Sequence, residues 1–221
     1  VLNDLNSAKI ITMEASNMVL ERKAAIELEV LLANGASFKK VKKDELIFEE
    51  GTHCLYYFQL VEGRVRWVNI NEQGKEFIQN IIEPGECFGE LPLFDNEPYA
   101  ASCFADKDSI ILRLPKESFL SILKENSELH FKFTKMFAER MRYKFLILKT
   151  IASENPTARI SVLLNHLKKG NCKGRDKTEI QLTRQQIANM TGLRVETVIR
   201  AIKKLDNKES LSIENGKIFI S

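Results

Sequence analysis

The spacing of apolar residues along this chain changes character several times, and each change marks a different kind of structure. Over residues 1–34, apolar positions such as Met18, Ile26, Val30 and Leu31 recur at roughly helical intervals until Asn34-Gly35 closes the segment. From Phe38 to about Pro115, short β-rich runs alternate with turn residues. Leu46–Phe48 ends at Glu50-Gly51, and Leu55–Phe58 leads to Glu62-Gly63. Val65–Ile70 alternates and stops at Asn71–Gly74, Phe77–Ile82 stops at Pro84-Gly85, and Ser109–Leu112 stops at Pro115. Short strands at this spacing predict an all-β barrel or jelly roll.

From Lys116 the period is helical again. Glu117–Lys124 reads as a short helix, with Ser127 as the N-cap of the next and Glu128 in its first turn. That next helix, Glu128 to Ala152, carries Leu129, Phe133, Met136, Phe137, Met141, Phe145, Leu148 and Ile151 as one apolar seam. About 25 helical residues reach nearly 40 Å, longer than one small barrel. The seam therefore predicts a parallel two-helix pairing, a homodimer through residues 128–152; the alternative is a helix packed only within its own chain. Ser153-Glu154-Asn155-Pro156 breaks it. Thr157–Lys168 reads as a further helix, Lys169–Lys177 as a basic loop and Thr178–Leu182 as a short strand. The expected class is α+β: residues 1–126 a β jelly-roll domain, 127–152 a dimerisation helix, 153–221 a winged helix-turn-helix.

The last assignment rests on Leu182–Leu205. Thr183 caps a short helix, small Ala188 lets a second helix cross closely, Gly192 supplies the turn, and Val198, Ile202 and Leu205 bury the second helix. Glu196 and Arg200, four apart, share its exposed face. An arginine pairs with guanine O6 and N7 together, and a glutamate accepts from cytosine N4. The competing reading is a surface ion pair between the two. Arg194, Thr197, Lys203 and Lys204 are candidates for phosphate contacts, and Thr183, Arg184 and Val195 complete the expected DNA-binding set. Leu211–Ile213 and Lys217–Ile220 flank Glu214-Asn215-Gly216, a hairpin signal placed where a wing belongs.

Charge agrees with this division. Residues 155–221 carry 13 Lys and Arg against 6 Asp and Glu, a net of +7, while residues 1–154 net −4. Only the C-terminal part is suited to a polyanion, so double-stranded DNA is the expected partner. The chain is 44% hydrophobic and 29% charged, ordinary for a globular protein. No run approaches the ~18–20 apolar residues of a membrane span, and the first twenty residues have no leader pattern. Cys54, Cys87, Cys103 and Cys172 form no CxxC, and His53, His130 and His166 are scattered, so no zinc or iron–sulfur site is expected from a local motif. A cupin-like enzyme needs several metal-binding His and Glu on neighbouring strands, and the only histidine of the strand region is His53. A nucleotide-regulated kinase subunit or channel would lack residues 182–220 as they stand.

From about residue 38 to the end, the chain resembles the cAMP receptor protein/FNR family of bacterial regulators. Val195-Glu196-Thr197-Val198-x-Arg200 matches that family's reading-helix core. Ile199 departs from its usual serine and allows an apolar contact to a thymine methyl. Phe88-Gly89-Glu90-Leu91-Pro92-Leu93-Phe94 resembles the family's phosphate-binding cassette. The resemblance implies backbone N–H groups after Gly89 holding a cyclic phosphate, Glu90 on a ribose hydroxyl, and an Arg-Ser or Arg-Ala pair beyond. Here Tyr99 and Ala100 stand at that pair. Lys144 and Phe145 replace the hydroxyl residues that face adenine in the cAMP receptor, while Arg140 matches an arginine near the pocket. The implied effector pocket is Phe88, Gly89, Glu90, Leu91, Tyr99, Ala100, Arg140 and Lys144. A buried phosphate without its arginine is costly, which argues against cAMP. The FNR cysteine cluster is absent too. The implied protein is not an enzyme but a cytoplasmic transcription regulator, a dimer on a pseudo-palindromic operator that contacts RNA polymerase. Its effector is unidentified, or its pocket is degenerate and it acts without one.

Overall fold

A computed structural model describes residues 25–152, 155–171, 177–207 and 211–220. The helix expected over 1–34 lies mostly outside these residues, as do Ser153, Glu154, Cys172 and most of the basic loop. Contacts divide the chain into two compact units: Val1–Ile70 with Gln79–Thr134, and Asn71–Ile78 with Lys135–Ser221.

In the first stretch of chain a short helix α1 (Leu28–Ala33) precedes eight strands. These are β1 (Ser37–Val41), β2 (Leu46–Phe48), β3 (Tyr56–Glu62), β4 (Val65–Ile70), β5 (Glu76–Ile82), β6 (Cys87–Phe88), β7 (Ser102–Ala105) and β8 (Ser109–Pro115). One helical turn, α2 (Leu91–Asp95), lies between β6 and β7. The strands form two four-stranded sheets, ordered β1-β8-β3-β6 and β2-β7-β4-β5. Both contribute to one core. Val41, Phe58, Leu60, Phe88 and Ile111 come from the first, and Val65, Ile82, Cys103 and Ala105 from the second. This is the sandwich that the alternation predicts.

Three strands were not visible in the apolar pattern. β1 carries Lys39 and Lys40 because it is an edge strand, where lysines blunt strand-to-strand association. β7 has small residues at three of its four positions and pairs with β4 from Val65↔Ala105 to Val68↔Ser102. β6 is two residues long.

Two helices follow: α3 (Lys116–Glu125) and α4 (Ser127–Ala152). Tyr57 stacks on Phe119 at 4.9 Å, and Phe133 meets Phe119 edge-on at 5.5 Å. These rings seat α3 and the start of α4 on β3. The cap of α4 is Asn126, not Ser127: its Oδ1 accepts from Leu129 N–H at 2.9 Å. Asn126 is extended (φ −131°, ψ 93°), the backbone a cap requires, and Ser127 is already helical.

The single seam expected on α4 divides in two. Leu129 and Phe133 are buried in the first unit, and Tyr143 and Ile147 are buried farther along. A separate row stays in solvent: Thr134, Ala138, Met141, Phe145, Leu148 and Ala152. Met141, Phe145 and Leu148 are 59%, 63% and 59% exposed. The row advances by alternating steps of four and three, the spacing of a coiled-coil seam.

The rest of the chain is α5 (Pro156–Asn171), β9 (Thr178–Ile180), α6 (Arg184–Thr191), α7 (Val195–Asp206), β10 (Ser212–Glu214) and β11 (Lys217–Ile220). Pro156 opens α5, where a missing N–H is harmless, and Asn155 Oδ1 accepts from Ala158 N–H at 3.1 Å. The strands form a sheet ordered β10-β11-β9. Ile160, Leu163, Ile187, Val198, Ile202 and Ile218 are essentially solvent-free and make the core. Among the described residues no helix is long and apolar enough to cross a membrane.

Candidate DNA-reading face and sensor cavity

The two helices of the motif are fixed by local chemistry. Thr183 accepts from Gln186 N–H at 3.1 Å, and the Gln186 side chain accepts from Thr183 N–H at 3.0 Å. This reciprocal capping box satisfies two amides that the start of α6 would otherwise leave open. Gly192 ends α6 with a left-handed backbone, and Arg194 begins the entry to α7. Val198, Ala201, Ile202 and Leu205 turn inward, so the opposite face of α7 must point to water.

That outer face carries Arg194, Glu196, Ile199, Arg200 and Lys203, all exposed, with Val195 and Thr197 half-buried at its margins. Among the described residues neither Glu196 nor Arg200 has a hydrogen-bond or ion-pair partner, so the surface ion pair is not formed. Both keep their full donor and acceptor sets for an external ligand. Thr183 is exposed at the start of α6. Of the predicted contacts, Thr183 is engaged in the capping box, and Arg184 is engaged too: its Nη2 donates to the Gly216 carbonyl at 3.1 Å. Partial burial lowers its pKa below the ordinary arginine value.

Beyond α7, Asn215 (φ 49°) and Gly216 (φ 77°) form the two-residue turn between β10 and β11, the left-handed pair that a tight hairpin demands. Lys177 pairs with Glu214, and Lys217 with Glu179 at 2.9 Å, tying the hairpin across its sheet. Ile213 N–H donates to Asp206 Oδ1 at 3.1 Å.

In the first unit, four residues of the expected effector pocket, Gly89, Leu91, Tyr99 and Ala100, line one small cavity. Pro92 of the cassette joins them, as do Phe48, Trp67 and Ala101, which the sequence did not assign to the pocket. Phe88 and Glu90 are fully buried. Arg140 and Lys144 stand one turn apart on α4, in the second unit. Partial burial of its ammonium, then the Arg140 charge, lowers Lys144 below the usual lysine range.

The cavity measures about 40 Å³. Ligand pockets commonly hold ~300–1,000 Å³. Tyr99 forms one wall of the cavity. Its ring stacks on Phe48 at 3.9 Å with planes 12° apart, and only 5% of the residue is exposed. Its hydroxyl donates to Cys54 Sγ at 3.1 Å. Its N–H donates to Thr52 O and its carbonyl accepts from Gly51 N–H, so the backbone is fixed as well. Burial, reinforced by the Cys54 contact, raises the Tyr99 pKa well above the usual tyrosine value, keeping the phenol neutral. Gly89 (φ 67°) has no room for a side chain: a Cβ there would lie 2.7 Å from the Phe48 ring and 3.2 Å from that of Tyr99. No residue lining the cavity is cationic. A nucleotide phosphate would find neither volume nor counter-charge there.

Known proteins agree with both halves. The family described as cyclic nucleotide-binding domain matches residues 38–126, and the Crp-like helix-turn-helix domain matches residues 158–221. The chain is 27% identical over 197 residues to the cAMP-activated global transcriptional regulator CRP of Salmonella typhimurium, covering 87% of this chain and 93% of that protein. It is 25% identical to the cAMP-activated regulator Vfr of Pseudomonas aeruginosa, covering 87% and 92%. Its fold is similar to that of FixK2 from Bradyrhizobium japonicum, with TM-score 0.71, 21% identity and coverage of 84% and 91%. It is also similar to a CooA mutant from Carboxydothermus hydrogenoformans, with TM-score 0.72, 20% identity and coverage of 87% and 89%.

Proposed function

The chain belongs to the CRP/FNR family of DNA-binding transcription regulators, and we propose that it reads a pseudo-palindromic operator as a homodimer. The observation that carries this reading is the outer face of α7. Glu196 and Arg200 stand there without a partner among the described residues, on a domain with a net charge of +7, beside a hairpin in the position of a wing. Arg200 reads a guanine through O6 and N7, and Glu196 takes the amino group of a cytosine. Arg194, Lys203 and the exposed start of α6 at Thr183 meet phosphates and set register. Ile199, 39% exposed between those two charged readers, touches a thymine methyl.

The dimer forms along Thr134, Ala138, Met141, Phe145, Leu148 and Ala152, which pair with the same row of a second copy. Two-fold symmetry then places two reading helices ~34 Å apart, one turn of DNA. The protein works in the cytoplasm and recruits or obstructs RNA polymerase at the operator.

The sensor cavity supports regulation without a cyclic nucleotide. Tyr99 walls the small cavity and Phe48 stacks on it, so the favoured reading is an effector-independent regulator whose level or partners set its activity. Gating by an unidentified small effector is the second reading; such a molecule would have to displace the Tyr99 ring. Selection of bound sites from random DNA tests the function directly. An inverted repeat with half-sites about 10 base pairs apart is expected. Recovery of sequences with no shared half-site would overturn the assignment.

A further inference from the structure

Two charged side chains of the helix pair end on the backbone of the hairpin. Arg184, the first residue of α6, turns its guanidinium to the hairpin tip and donates to the Gly216 carbonyl. Gly216 lies in the turn beyond the last ladder pair, Glu214↔Lys217, so the ladder provides its carbonyl with no partner. Asp206, in the last turn of α7, accepts the N–H of Ile213 in β10, the outer strand of its sheet. One anchor thus comes from each helix, and the two anchored backbone groups are three residues apart. Each bond joins a charged side chain to the backbone, which makes it stronger than a neutral pair.

We propose that Arg184 and Asp206 are wing-positioning residues. They lock the β10–β11 hairpin to the helix pair, so that the wing meets the DNA backbone flanking the bases read by α7. This rests on the DNA-reading assignment above. It gives Arg184 a role other than a simple phosphate contact, and it gives Asp206 a role in DNA binding despite its charge. An acidic side chain near DNA repels phosphate, so electrostatics alone predicts that removing Asp206 tightens binding. Positioning predicts the opposite sign.

The test uses the full chain and an operator duplex recovered by selection. Asp206→Ala is expected to bind roughly three- to tenfold more weakly. It should lose hydroxyl-radical protection on the flanks while keeping protection over the half-site centres. Asp206→Asn, whose amide oxygen still accepts from Ile213, should restore binding to within about twofold of the unaltered protein. In the DNA-free protein, Arg184→Ala should speed amide exchange at Gly216 and Lys217 relative to Ile187 and Ile202. The proposal is overturned if Asp206→Ala binds as tightly as the unaltered chain or tighter, if Asp206→Asn is no better than Asp206→Ala, or if exchange at the hairpin tip is unchanged. If the unaltered chain selects no shared sequence, the DNA-reading assignment fails instead, and amide exchange in the free protein still decides whether the hairpin is anchored.

Discussion

On α7, Glu196 and Arg200 stand in solvent with no partner among the described residues, while Tyr99 in the first unit has its ring, hydroxyl, N–H and carbonyl all taken up by its neighbours. Tyr99 lies in the stretch that matches the cyclic nucleotide-binding domain, and α7 in the stretch that matches the Crp-like helix-turn-helix domain. The chemistry differs. A surface that awaits a polar ligand keeps donors and acceptors free, because water satisfies them until the ligand arrives. A cavity that awaits a ligand keeps volume and counter-charge. The reading face has the first, and the cavity has neither of the second. Similarity of fold carries over the location of a site, whereas its groups decide whether the site is still in use.

The largest effect expected concerns what brings two reading faces together. Replacing Met141 and Phe145 with glutamate puts like charges on both sides of the proposed seam. Sedimentation should then show a monomer, and operator affinity should fall by about 10²–10⁴-fold through lost bivalency. A dimer that persists would move the interface away from α4. Next in size is Tyr99→Ala, which empties the space that Tyr99 fills. It should lower the stability of the fold by about 3–5 kcal/mol in denaturant titrations. Operator affinity of the folded dimer should stay within about twofold, because the reading face does not depend on a filled effector site. Calorimetry with cAMP should give no heat for the unaltered chain; micromolar binding would contradict a cavity too small for it. Smallest is the thymine methyl. Replacing the contacted thymine with uracil removes one methyl, and affinity should drop roughly fourfold, about 0.8 kcal/mol. Ile199→Ser should be indifferent to that replacement, and equal sensitivity of both proteins would remove Ile199 from the readers.

Much of the second unit was legible in the chain because its signals are local. Thr183 with Gln186 three residues on, Gly192 at a helix end and Asn215-Gly216 between strands each encode their own geometry. The first unit was legible in class but not in detail. Lys39 and Lys40 hide β1 because an edge strand needs charge, and the small residues of β7 carry no apolar alternation. On α4 the apolar pattern merged two faces and left out Tyr143 and Ile147, since periodicity shows that a side chain is apolar and not what covers it. Leu129 and Phe133 are covered by their own chain; Met141 and Phe145 are not. The sensor cavity followed the same rule. The sequence shows Tyr99 where the family has an arginine, but its stacking on Phe48, fifty-one positions earlier, is a tertiary contact with no local signature. The anchors Arg184–Gly216 and Asp206–Ile213 escaped for that reason too.

The central claim is that α7 reads bases through Arg200. The direct measurement is selection from random DNA performed in parallel with the unaltered chain and with Arg200→Ala. The account predicts one inverted repeat for both, with Arg200→Ala about 1–3 kcal/mol weaker and tolerant of any base at a single guanine in each half-site. Unchanged affinity with unchanged preference at every position would contradict it.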